Sequence, residues 1–235
     1  MSPFSKQGKN LIFITLVLSI ISLSNFWVYW IYKKSFLLGS LTIIETVLFF
    51  FLIYFEKVTK FMLTAILIIL LIESTYLLTG NFDKNIFSPS IVDSIKIRQR
   101  QQFYNLELGR IYGNKLGIYY FDNLKLVFNK LNSNLFSNLD LSIYFSPRVL
   151  FDRDKFSLIL SPLFIIGFLS LLSKSKKTLL ILLIYLVPAL SVASFINVDS
   201  TIHPILMFPF MSVCLTVGLI ELLKKLTSMI LHIKT

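Results

Sequence analysis

Glu45 and Glu73 are the residues in this chain best placed to do chemistry, because each interrupts a long run of apolar residues. A carboxyl group at mid-bilayer depth costs about 2.5–3.5 kcal/mol on insertion scales, and such a residue points to binding of a cation, a proton or a lipid headgroup. With a rise of about 1.5 Å per residue, Glu45 falls about 14 Å below the outer end of its run and Glu73 about 10 Å. Asn25, in the first apolar run, comes out at a similar depth. Asn25, Glu45 and Glu73 therefore form a candidate intramembrane polar cluster. The plainer use of such groups is as protonated hydrogen-bond partners between helices, worth about 0.6–2 kcal/mol each.

The elements that must position them are long. Apolar stretches run over 11–32, 35–55, 61–80, 156–173, 178–198 and 204–223. A span needs about 20 mainly apolar residues. Continuous Leu, Ile and Phe runs without period-2 alternation are helices rather than barrel strands. The composition agrees: 55% of residues are hydrophobic and only 15% charged, where a soluble domain carries roughly 25% charged residues. Mean hydropathy is +0.76. The fold class expected is all-α: a polytopic membrane helix bundle of about six transmembrane helices, with a small, mainly helical extracytoplasmic segment. Three units follow: residues 1–80 with three spans, 81–154 outside the membrane, and 155–235 with three spans and a cytoplasmic tail.

The loops give an orientation. Lys6, Lys9, Lys57, Lys60, Lys174, Lys176, Lys177, Lys224, Lys225 and Lys234 fall on one side of this layout, and only Lys33 and Lys34 on the short loops of the other. Short-loop Lys and Arg mark the cytoplasmic side. Both termini are then expected in the cytoplasm of a multi-pass protein of the cell inner (plasma) membrane. The first run ends in Trp27, Tyr29, Trp30 and Tyr32, not in the small residues of a cleavage site. It reads as a retained span with an interfacial aromatic cluster. Pro162, Pro188 and Pro209 suggest kinks in the last three spans.

The middle interval is rich in aromatics and poor in Gly and Pro, so it is expected to fold. An amphipathic helix is read from Ser90 to Arg110, with Ile91, Ile95, Phe103 and Leu106 apolar, closing near Gly109 or Gly113. A second runs from about Tyr119 to Leu131, with Phe121, Leu124, Phe128 and Leu131 on one face. Both are suited to lie on the membrane surface, or to pack on each other.

Several classes of function are set aside. The net charge of +11 sits at span ends and in the middle interval, where anionic headgroups are its partner; no nucleic-acid motif accompanies it. The single cysteine, Cys214, excludes an intrachain disulfide and a Cys-based metal site. His203 and His232 stand alone, and no phosphate loop or nucleophile elbow occurs. No cofactor and no metal is expected.

The order Arg98-Gln-Arg-Gln-Gln, Gly109-Arg110, Gly113-Asn114-Lys115, Asn138-Leu-Asp140, Tyr144-Phe-Ser-Pro147-Arg148, Pro162 to Gly167 and then His203-Pro204 spans roughly residues 95–220. It resembles the later part of polytopic GT-C-type, dolichyl-phosphate-mannose-like membrane glycosyltransferases. The resemblance implies a cell-envelope protein that meets membrane lipids and a polyprenyl-phosphate-linked sugar, alongside a partner membrane subunit. Arg98, Arg100, Arg110, Asp140 and Arg148 become candidate headgroup-binding residues. Those enzymes place an acid in the first outer loop, whereas this loop is Tyr32-Lys33-Lys34-Ser35. The expectation is thus a truncated or divergent relative that is not catalytic alone. Two alternatives stay open. One is a lipid-carrier-dependent glycosyltransferase using Glu45, Glu73 or the Asp140–Asp154 cluster. The other is a small transporter or lipid flippase subunit working through Glu45 and Glu73.

Overall fold

The computed structural model describes residues 6–23, 26–55, 60–107, 119–145, 155–196 and 204–233. Among them there is no strand, only an isolated antiparallel bridge between Phe82 and Ile196. The helices are α1 (Lys6–Leu23), α2 (Phe26–Lys34), α3 (Phe36–Phe55), α4 (Lys60–Asn81), α5 (Ile91–Glu107), α6 (Lys125–Leu139), α7 (Ser142–Phe145), α8 (Ser161–Lys174), α9 (Lys176–Ala193) and α10 (Phe208–Ile233). A π turn, Tyr120–Leu124, leads into α6, and a 3₁₀ turn, Ile205–Met207, leads into α10.

Four of the apolar stretches form helices long and apolar enough to cross a membrane: Phe36–Tyr54, Lys60–Asn81, Lys176–Ala193 and Ile205–Met229. In hydrocarbon a helix satisfies its own backbone, which is why such runs adopt it. The protein is therefore built for a membrane. The other two stretches differ. The first holds α1 and α2, with residues 24 and 25 between them outside the described set. The fourth is the shorter apolar helix Leu158–Lys174.

α10 is the centre of the bundle. Buried residues make up 83% of its apolar window, against 50% in α3, 33% in α9 and 28% in α4. α1, α3 and α8 all pack on it. The peripheral helices turn Leu67, Ile68, Leu71 and Ile72 of α4, and Leu179, Leu180, Leu183 and Val187 of α9, outward. Such surface suits lipid and not water.

The contact between α8 and α10 depends on two glycines. A Cβ on Gly167 would collide with the carbonyl oxygen of Cys214, and one on Gly218 with that of Leu163. Small residues let helix backbones approach in this way where lipid supplies no hydrophobic drive for association. The prolines act less than expected. Pro162 and Pro209 lie in the first turns of α8 and α10, where the missing N–H has no helical acceptor to lose; only Pro188 lies inside its helix, α9.

Hydrogen bonds sort the helix ends into two groups. Lys174 Nζ donates to the carbonyls of Ile53 and Tyr54 at 3.0 and 2.9 Å, joining the C-terminal ends of α8 and α3. At the other end, Lys34 Nζ donates to Asn81 Oδ1 at 3.3 Å, and Asp83 N donates to Phe195 O at 3.0 Å. Asn134 Nδ2 reaches Ser194 O at 3.0 Å, seating α6 on the end of α9. The middle segment thus docks where α4 and α9 end.

Within that segment, Ser90 and Asp93 form a capping box at the start of α5. Ser90 N donates to Asp93 Oδ2 at 3.0 Å, and Asp93 N donates to Ser90 Oγ at 3.1 Å; this exchange satisfies backbone donors that have no helical acceptor. Lys130 of α6 closes the arrangement, 3.0 Å from Asp93 Oδ2 and 2.9 Å from the carbonyls of both Asn85 and Ser88. Both expected amphipathic helices exist, over Ile91–Glu107 and from the π turn to Leu139. Their apolar residues Ile91, Ile95, Leu124 and Phe128 are exposed rather than packed on each other. The expected closing glycines, Gly109 and Gly113, lie outside the described residues.

Candidate functional site

The buried residues of α3 include Thr42, Glu45, Thr46 and Phe49. Spaced i, i+3, i+4 and i+7, they form one face of the helix. The inward face of α4 is built from Ile66, Leu70, Glu73, Ser74 and Leu77. Glu45 and Glu73 each lie on the buried face of their own helix. Both are fully buried, at 0% exposure.

There the two carboxyl groups meet. Thr42 Oγ1 lies 2.9 Å from Glu73 Oε1 and 2.9 Å from the carbonyl oxygen of Leu38. From α9, the Tyr185 hydroxyl donates to Leu206 O at 2.8 Å and lies 3.4 Å from Glu45 Oε2. The Tyr185 ring packs on Phe49 with centroids 4.4 Å apart. Among the described residues, none donates a hydrogen bond to Glu45 Oε1 or Glu73 Oε2. Four elements thus converge: α3, α4, α9 and the 3₁₀ turn before α10. Among the described residues, no Lys, Arg or His forms an ion pair with either carboxyl.

The third member expected of this cluster, Asn25, lies outside the described residues. Tyr185 and Leu206 join the site without a signal in the sequence. A tyrosine in an apolar span carries no mark of its partner, and a backbone carbonyl carries none at all.

The candidate headgroup-binding residues are not assembled into a site among the described residues. Arg98 is exposed on α5; Arg100 also lies on α5, with its side chain outside the described set, as Arg110 and Arg148 are altogether. Asp140 serves the local fold, since its Oδ1 accepts from Ser142 N at 2.9 Å at the entry to α7. Asp122 accepts from Gln101 Nε2 at 2.8 Å, tying α5 to the π turn. Among the described residues, no group of three or more His, Cys, Asp and Glu could hold a metal.

The aromatic cluster expected at the interface divides. Tyr29 and Trp30 are exposed, whereas Trp27 is buried against Phe156 and Phe208 with centroids 5.8 and 5.3 Å away. Lys155 Nζ lies 5.6 Å above the same indole, a distance at which a cation is attracted to the ring.

No protein family, curated protein or solved structure matches the chain.

Proposed function

We propose that this chain is a cell-envelope membrane protein related to lipid-linked-sugar glycosyltransferases and not catalytic by itself. In this reading it crosses the inner membrane about six times, with α1 and α8 completing the spans, both termini in the cytoplasm and residues 81–154 outside. A membrane subunit that brings the catalytic acid would be its partner, and a polyprenyl-phosphate-linked sugar its ligand.

The observation that carries the non-catalytic part is how the carboxylates are used. Transfer to an acceptor hydroxyl calls for a positioned base, and the departing phosphate calls for a cation or basic clamp. Among the described residues, Asp83 caps a 3₁₀ turn, Asp93 caps α5, Asp122 holds Gln101, Asp140 caps α7 and Glu221 pairs with Lys224. Glu45 and Glu73 are sealed inside the bundle. Each of these carboxylates has a structural role, while Asp152, Asp154 and Asp199 lie outside the described residues.

The test is a transfer assay with the purified chain in liposomes, supplied with a polyprenyl-phosphate-linked sugar. Binding without turnover is expected. Robust transfer that disappears on Asp140→Asn or Glu73→Gln, with the fold intact, would refute the reading and promote a true glycosyltransferase. The buried Glu45–Glu73 pair favours a second reading, a small transporter or flippase subunit. That reading would show as ion or lipid movement by the same liposomes.

A further inference from the structure

We propose that Glu45 and Glu73 form a proton-binding site inside the bundle, holding a single proton between their two carboxyl groups at neutral pH. The first support is hydrogen accounting. Six oxygens meet at this site: the carbonyls of Leu38 and Leu206 and the four carboxyl oxygens. Among the described residues, two hydroxyl hydrogens face them, those of Thr42 and Tyr185. Each hydroxyl has one hydrogen to give. Tyr185 has its short bond to Leu206, at 2.8 Å against 3.4 Å to Glu45, so its hydrogen is committed to the carbonyl.

The second support is the pair of orphaned oxygens. Among the described residues, nothing donates to the buried oxygens Glu45 Oε1 and Glu73 Oε2. The two carboxyl groups face each other at one interface, and two carboxylates have no hydrogen to offer one another. One proton supplies a bond between them. It also removes the cost of holding two like charges together in a low-dielectric interior. The proton belongs to the pair rather than to either residue.

The ligand is a proton and not a metal ion. Among the described residues, no third His, Cys, Asp or Glu joins the two carboxyls to make a metal-binding group. Tyr185 from α9 is the other titratable group that faces the carboxyls, and α10 brings no charged group to them. The site does not depend on the transferase reading; a carboxyl signal and a transfer assay can each fail without the other.

Infrared spectroscopy of the protein in liposomes at neutral pH reads the proton directly. Wild type should show a protonated-carboxyl C=O band that shifts in D₂O and is absent from the double variant Glu45→Gln/Glu73→Gln. Each single variant, Glu45→Gln or Glu73→Gln, should also lose the band completely, because the new amide donates the missing hydrogen. Absence of the band in wild type would overturn the proposal. So would a band of half intensity in each single variant, which would mean two independently protonated carboxyls. Loss of the wild-type band on adding Na⁺ at constant pH would reassign the site to a cation and overturn it as well. The single variants, each one atom exchange from the native side chain, keep the test decisive should the double variant misfold.

Discussion

Gly167 of α8 and Gly218 of α10 lie face to face. A Cβ on Gly167 would come within 2.8 Å of Gly218 N, and a Cβ on Gly218 within 3.1 Å of Gly167 N. The two helix backbones are as close as backbones can pack, on the helix that forms the centre of the bundle.

Gly167→Ala should therefore destabilise the protein by about 1–3 kcal/mol, the usual cost of overpacking. Gly80→Ala is the control. Nothing lies within 4 Å of a Cβ there, so it should be neutral or slightly stabilising through helix propensity. Equilibrium unfolding in detergent compares them, and equal stabilities would show that the α8–α10 contact relaxes freely.

Tyr185→Phe removes the hydroxyl that donates to Leu206 O while keeping the ring on Phe49. A lost hydrogen bond that leaves a buried acceptor unmet costs about 1–3 kcal/mol. The same unfolding measurement should register that loss. Wild-type stability would mean that the hydroxyl contributes nothing net.

Lys130→Met should loosen the start of α5, because the ammonium bonds Asn85 O, Ser88 O and Asp93 together. A partly exposed ion pair is worth about 1 kcal/mol or less, with the carbonyl bonds adding to it. Hydrogen exchange at residues 91–95 should quicken roughly tenfold per 1.4 kcal/mol lost. Exchange should stay unchanged in α10, away from the substitution.

The same cap predicts a pH effect. Hydrogen bonds from the hydroxyl and backbone N–H of Ser90, and then from Lys130, hold the Asp93 carboxyl down at about 2. A depressed carboxyl stabilises the folded state in full above its unfolded value of about 3.9. That stabilisation is lost as pH falls through about 4 toward 2. Exchange at the start of α5 should accelerate across that window in wild type, and Asp93→Asn should flatten the response. An unchanged pH profile in Asp93→Asn would assign the effect elsewhere.

The orientation is open to single-cysteine labelling in a Cys214→Ser background. An impermeant thiol reagent applied to intact cells should label Ser90→Cys and leave Ser175→Cys untouched. Labelling at 175 would invert the layout.

The sequence by itself determined the long apolar helices. A run of Leu, Ile and Phe of spanning length has one way to satisfy its backbone in hydrocarbon. It also marked Glu45 and Glu73, since a carboxyl in such a run is costly wherever it points. The Ser90–Asp93 cap is readable in principle from its i, i+3 spacing, although the basic residues of the same helix overshadow Asp93. Other features came only with the fold. Among the described residues, four of the six apolar stretches form helices of spanning length. Lys130 looks in the sequence like an ordinary charge off the apolar face of its helix, and the carbonyls it binds lie more than forty residues earlier in the chain. The meeting of Glu45 with Glu73 under Tyr185 and the Leu206 carbonyl is also a product of packing. Periodicity aims a side chain at a neighbouring helix, but it does not set the rotation and depth at which that neighbour presents its own. Those are fixed by how α3, α4, α9 and α10 pack against one another.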